Sequence, residues 1–252
     1  MSPAQVLSLW TTDAGDLAEQ ADEVLSPEEA RRARAFGRDS NRTRYVVSHV
    51  WLRRILGDLL DVPPARVSIE PGRCRHCGGP DGKPQLPAST GWHFSLAHSG
   101  AVAMCAVMSS PVGVDVEAIG ADSGYLDLLP TLEPRERAAL LATPRQQRAA
   151  AFTHCWVRKE AYLKGTGEGL SREPHSVYVG LGGRFDDPEP SIDALDGWRL
   201  LDVDAPAGYA AALAVRSAVD DSLAPVFSAP QSAGDADEPC ALGELRGWAS
   251  AS

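Results

Sequence analysis

His49-Val50-Trp51-Leu52-Arg53-Arg54 returns 105 residues later as His154-Cys155-Trp156-Val157-Arg158-Lys159, and this echo constrains the fold more than any other feature. At about the same offset, Val6-Leu7-Ser8-Leu9-Trp10 falls opposite Pro111-Val112-Gly113-Val114-Asp115. Gly91-Trp92-His93-Phe94 matches Gly197-Trp198-Arg199-Leu200, and Gly100-Ala101-Val102-Ala103 matches Gly208-Tyr209-Ala210-Ala211. Four matches in order predict a duplicated unit. Each half reads as a strand, a helix, a longer helix and three short strands. The first half gives 5–12, 26–37, 41–60, 66–70, 91–97 and 101–108; the second gives 112–118, 133–142, 145–164, 175–181, 197–203 and 208–216. Consecutive strands with hairpin-length gaps predict an α+β fold. It should hold two similar lobes, each a small antiparallel sheet packed with helices, with the active site in the cleft between them.

The expected organisation is an N-terminal lobe over 1–111, a C-terminal lobe over 112–220 and a flexible acidic tail over 221–252, which lacks an apolar period. The copies differ in charge. Ile55 and Leu59 stand where the second copy has Glu160 and Lys164, and Trp10 and Thr12 stand opposite Asp115 and Glu117. Charge gained on one half is the pattern of a site grafted onto a scaffold.

Composition excludes several classes. No run of eighteen apolar residues exists, so no membrane span is expected. The N-terminus lacks the basic and apolar regions of a secretion signal, which predicts a cytoplasmic protein. Five scattered cysteines make a poor disulfide framework. Cys74-Arg-His-Cys77 is half of a zinc site, but no second ligand pair follows, so it reads as a loop with free thiols. Net charge is −10, yet residues 31–54 carry eight arginines against Asp39 alone. An arginine block in an acidic protein suggests a local anion site, not a nucleic-acid surface.

Val112, Val114 and Val116 alternate with Gly113, Asp115 and Glu117, a period-two strand. Asp115 and Glu117 therefore share a face, roughly 7 Å apart. Gly113 is expected to leave room beside them. Trp156, Glu160 and Lys164 follow at helical spacing along one face of a helix that stops at Gly165-Thr166-Gly167. Three carboxylates from two elements form an oxygen-only set suited to Mg²⁺, whose shell substrate phosphates complete. The arginine block, Lys83 and the turn residue His98 are candidates to hold those phosphates.

Gly113-Val114-Asp115-Val116-Glu117 and Trp156-Val157-Arg158-Lys159-Glu160-Ala161-Tyr162-Leu163-Lys164 resemble the two signature motifs of the phosphopantetheinyl transferases, GxDxE and (F/W)xxKExxxK. Gly82-Lys83-Pro84 and Phe94-Ser95-Leu96-Ala97-His98-Ser99-Gly100 resemble a third stretch of that family, and Ser26-Pro27-Glu28-Glu29 and Arg44 match its N-terminal half. Length and duplication resemble the monomeric, two-lobed Sfp type. The resemblance implies that Asp115, Glu117 and Glu160 bind the metal. It implies that Lys164 meets the pyrophosphate, and that Lys83, His98, Arg44 and Arg32 hold coenzyme A phosphates. Two departures stand out. Ala97 replaces a serine before the histidine, and Glu29 replaces a basic residue, so the 3′-phosphate clamp should be built differently.

The implied reaction is Mg²⁺-dependent transfer of 4′-phosphopantetheine from coenzyme A to a serine of an apo acyl or peptidyl carrier protein, releasing 3′,5′-ADP. Polyketide and nonribosomal-peptide carriers are favoured by family type. Asp115, Glu160 and Lys164 form the catalytic group, with Glu160 or a metal-bound water that it orients as the base. The alternatives are a non-catalytic carrier- or nucleotide-binding protein, and another phosphoryl-transfer enzyme, for which no GxxxxGK[ST] loop exists. Leu126, Leu128 and Leu129 follow the metal strand and are expected to form an apolar carrier-docking patch or to pack beneath the second lobe's helix.

Overall fold

The computed structural model describes residues 5–10, 15–73, 78–79, 82–120, 124–182, 185, 189–191, 193–216 and 226–231. Cys74 and Cys77 lie outside them. The described helices are α1 (Ala21–Val24), α2 (Pro27–Arg34), α3 (Asp39–Leu60), α4 (Pro134–Ala142) and α5 (Arg148–Thr166). The strands are β1 (Gln5–Trp10), β2 (Glu70–Gly72), β3 (Gly82–Gln85), β4 (His93–Ser99), β5 (Val102–Met108), β6 (Val112–Ala118), β7 (Trp198–Val203), β8 (Tyr209–Arg216) and β9 (Val226–Gln231). No described helix is long and apolar enough to cross a membrane.

Helices and small, mainly antiparallel sheets make an α+β fold. One sheet runs β4-β5-β1-β9, a second β6-β8-β7, and β2 pairs with β3 alone. Strand periodicity sorts the core into layers. On β5, Ala103, Cys105 and Val107 pack with Val47, Val50, Trp51 and Ile55 of α3. Met104, Ala106 and Met108 turn the other way, toward Val112, Val114 and Val116 of β6 and Leu213 and Val215 of β8. Ala210, Ala212 and Ala214 of β8 then face Cys155, Ala161 and Tyr162 of α5. The order is helix, sheet, sheet, helix.

Where the sheets meet, two edge strands seal each other. The Val114 amide donates to Ser95 Oγ (3.1 Å) and the Ala118 amide to Ser99 Oγ (3.1 Å). Both serines lie on β4, four residues apart, matching the spacing of the two amides. An unpaired edge amide inside a protein is costly, and hydroxyls supply the acceptors here.

Both long helices carry a buried cation that organises the loop after them. Arg53 pairs with Glu29 (2.6 Å) and donates to the Pro64 and Val67 carbonyls. Lys159, 1% exposed, pairs with Glu136 (2.6 Å) and donates to the Pro174 and Val177 carbonyls. Glu29 and Glu136 each close a capping box at the start of the preceding helix. Arg158 adds bonds to the Val179 carbonyl, Asp202 and Glu189.

This device explains two corrections. The strands expected at 66–70 and 175–181 are absent, apart from the start of β2 at Glu70. Val177, Val179 and Leu181 do alternate inward, but side chains of Lys159, Arg158 and Glu136 take their backbone groups in place of a neighbouring strand. Within the stretch 221–252, expected to be a flexible tail, Val226–Gln231 forms β9, which adds in parallel to β1, so that sheet is not purely antiparallel. The rest of that stretch lies outside the described residues.

Removing one partner of a buried ion pair strands the other, at about 3–5 kcal/mol. Lys159→Met should therefore lower unfolding free energy by roughly that amount, measured by urea denaturation. A loss below about 1 kcal/mol would show that the pair does not organise this region.

Candidate active site

The approach of α5 to β6 builds the site. A Cβ on Gly113 would lie 2.0 Å from the Ala161 carbonyl oxygen and 2.4 Å from the Gly165 nitrogen. Glycine at 113 thus makes room for the helix backbone itself, not for a ligand beside the carboxylates as the sequence suggested. Gly165 likewise admits the Trp198 ring, which a Cβ would meet at 2.7 Å. The face of β6 that bears Gly113 also bears Asp115 and Glu117, so contact with α5 brings Glu160 and Lys164 to them.

Asp115 is buried, and its Oδ1 accepts from Lys164 Nζ at 2.5 Å. Its Oδ2 is buried with no hydrogen-bond partner among the described residues. Burial raises the Asp115 pKa to about 7; Lys164 opposes the shift, and Glu117 and Glu160 add to it. Glu160 is also raised, by burial first and by Glu117, against Lys164. The three carboxylates therefore share one field. They do not form a closed cage: among the described residues no three metal-ligating side chains converge. The Lys164 ammonium pairs with Asp115, the innermost of the three.

The basic candidates divide. His98, near the end of β4, is held below its ordinary pKa first by desolvation and then by Lys164 and Arg44, against Glu117. It stands electrically between the arginine helix and the carboxylates. Arg32 acts on His49 and Tyr45, which stack with ring centroids 3.8 Å apart. Burial pushes His49 down to about 4. Lys83 of β3 donates to the Val112 carbonyl at the start of β6. Other arginines of the block are spent on structure: Arg53 inside the core, Arg54 on Gln20 and Arg42 on Asp39. Glu29, the departure from a basic residue, is the partner of Arg53.

Sequence reasoning gave Ser99 and Lys159 no role. Ser99 Oγ donates to Glu117 Oε2 at 2.5 Å. The available signal was two serines four apart on one strand, His93–Ser99. Lys159 sits inside the signature stretch, next to Glu160, but its side chain is buried in the core.

With carboxylates, an ammonium and an imidazole gathered at one helix–strand contact, sequence comparison decides the class. The profile of the 4'-phosphopantetheinyl transferase superfamily matches residues 111–212, from the start of β6 into β8. A 4'-phosphopantetheinyl transferase of Bacillus subtilis is 31% identical over 175 residues, 69% of this chain and 73% of that protein. The 4'-phosphopantetheinyl transferase HetI of Nostoc is 32% identical over 198 residues, 76% of this chain and 78% of that one. The 4'-phosphopantetheinyl transferase Sfp of Bacillus subtilis is 28% identical over 173 residues, 68% and 72%.

The chain belongs to the 4'-phosphopantetheinyl transferase superfamily.

It is thus a transferase enzyme, which removes the reading as a non-catalytic binding protein. The profile spans the whole helix–strand contact, so the candidate carboxylates and Lys164 all fall within the segment that defines the superfamily.

The Asp115 shift carries a pH signature in metal-free protein. Native Asp115 keeps its proton up to about pH 7, whereas unfolded aspartate releases it near 3.8. Between these values the native state binds more protons, so the stability this group contributes is full below the unfolded pKa and is lost as pH rises through about 7. In EDTA, wild-type Tm should fall relative to Asp115→Asn across that window. Parallel curves for the two proteins would contradict the shift.

Proposed function

We propose that this transferase moves the 4′-phosphopantetheine arm of coenzyme A onto a serine of an apo acyl or peptidyl carrier protein, with Mg²⁺ held by Asp115, Glu117 and Glu160. The observation that carries it is the unpartnered, buried Oδ2 of Asp115 inside a field of two further carboxylates. An orphaned hard oxygen donor fits a hard cation that keeps waters and takes phosphate oxygens. When bound, Mg²⁺ supplies positive charge to the pyrophosphate as it reacts.

The carrier serine oxygen bonds to the phosphorus nearest pantetheine, the pyrophosphate P–O bond breaks, and 3′,5′-ADP leaves with that electron pair. Serine needs a base. Glu160, raised from its ordinary value by burial, is suited to take its proton, directly or through a water. Lys164, already among these carboxylates, offsets charge on the leaving phosphate. His98, Arg44 and Arg32 supply the basic surface for the remaining coenzyme A phosphates, with Lys83 of β3 beside the start of β6. Leu126 and Leu128 are exposed and Leu129 packs on the core, which supports docking of the carrier through the first two. The expected carriers serve polyketide or nonribosomal-peptide synthesis.

We further propose that the halves 1–111 and 112–220 are copies forming two lobes around this site in a monomeric, cytoplasmic protein. The recurrence of the buried Glu–cation–carbonyl device supports it, as do the strand registers: β1 lies on β5 as β6 lies on β8. Under that proposal, superposing the two pairings would bring Ser8 and Trp10 opposite Asp115 and Glu117.

Incubation with coenzyme A, Mg²⁺ and an apo-carrier should add one phosphopantetheine mass to the carrier, and Asp115→Ala should lower that rate by orders of magnitude with the fold retained. Full activity of Asp115→Ala in EDTA would remove the metal assignment. Arg44→Ala should weaken coenzyme A more than dephospho-coenzyme A, since charge-assisted contacts are the strong ones. Equal losses for both would place Arg44 away from the 3′-phosphate.

A further inference from the structure

Ser95 and Ser99 perform the same structural task on the edge of β6, but only Ser99 has a second partner that is acidic. Its oxygen accepts the Ala118 amide (3.1 Å), and its single proton goes to Glu117 Oε2 (2.5 Å). Ser95 accepts the Val114 amide, and among the described residues no carboxylate bonds to it. A hydroxyl fixed at both its acceptor and its donor side cannot rotate freely, and its bond to an ionised carboxylate is charge-assisted. The orientation of Ser99 is thereby passed to Glu117.

The turn after Ser99 is locked as well. Gly100 adopts φ 54°, a left-handed conformation, and a Cβ there would lie 2.6 Å from the Tyr209 hydroxyl. That hydroxyl accepts the Ala101 amide at 3.0 Å. Tyr209 starts β8 and pairs with Ala118 of β6, and Ala210 pairs with Glu117, so the strand beside Glu117 also holds the turn that follows Ser99. Glu117 is half-buried, and a free glutamate side chain there has three rotatable bonds to restrain. His98 precedes Ser99 on the opposite face of β4, so one short segment bears a candidate phosphate group and the tether of a candidate metal ligand.

We propose that Ser99 is a positioning residue: its hydroxyl holds the Glu117 carboxylate beside Asp115 and Glu160 so that a divalent cation binds. The proposal rests on the reading of those three carboxylates as the metal site. Partners that orient metal ligands in this way are worth about 10- to 100-fold in metal affinity.

The test is direct Mn²⁺ binding, read from the free-ion electron paramagnetic resonance signal, on full-length protein without carrier. Ser99→Ala should bind Mn²⁺ about 10-fold or more weakly. Ser99→Thr should restore affinity, and Ser95→Ala, which loses the equivalent edge acceptor, should bind as wild type does. Under saturating Mg²⁺, the coenzyme A KM of Ser99→Ala should stay near wild type. Wild-type Mn²⁺ affinity in Ser99→Ala would overturn the proposal, and so would an equal loss in Ser95→Ala, which would make the effect one of edge sealing. Should Ser99→Ala not fold, Ser99→Thr and the near-isosteric Ser99→Val isolate the hydroxyl, and equal affinities in that pair would overturn it. If Glu117→Gln binds Mn²⁺ like wild type, the metal site itself is misassigned and the proposal falls with it.

Discussion

Everything at the candidate site depends on how closely α5 lies on its sheet. The side of β6 and β8 that meets the helix is lined by Gly113, Ala210, Ala212 and Ala214, while the opposite side carries Val112, Val114, Val116, Leu213 and Val215. Small residues on one face and branched ones on the other set two different spacings from one pair of strands. The wide spacing fits a second sheet. The narrow one lets the Ala161 carbonyl and the Gly165 amide sit where a Cβ at 113 would be. Two elements that touch backbone to backbone can share charged groups over short distances, which is how Lys164 reaches Asp115.

That closeness costs solvation. Asp115 is nearly excluded from water, with two acidic neighbours, and only Lys164 offsets the penalty. A structural ion pair of the same depth looks different. Glu136 and Lys159 satisfy each other, and the remaining lone pairs and protons go to the Glu133 and Val179 amides and to two carbonyls. The first cluster is left incomplete and the second is closed. An unsatisfied buried polar group of this kind is what catalytic and ion-binding sites share, and it is the feature on which the proposed function rests.

Much of this was legible in the sequence. Alternation over 112–118 placed Asp115 and Glu117 on one face, and helical spacing joined Glu160 to Lys164. Both signals are periodic and local, and both elements formed. The capping box at Ser26 and Glu29 was readable as a helix start for the same reason. What stayed hidden was long-range: that Arg53 and Lys159 turn inward, that their loops are fastened by side chains instead of strands, and that β9 returns to the first sheet. A cation in an arginine-rich stretch looks solvated until the partner 24 residues away is known, as with Arg53 and Glu29.

The central claim is that the α5–β6 contact gathers Asp115, Glu117 and Glu160 into one divalent-cation site. Crystals grown with Mn²⁺ and coenzyme A test it through the anomalous signal of the metal. The account predicts one strong peak at roughly 2.0–2.2 Å from a carboxylate oxygen of each of the three residues, with the pyrophosphate completing the shell. A peak held by coenzyme A phosphates alone, or by other side chains, with the Lys164–Asp115 pair intact, would contradict it.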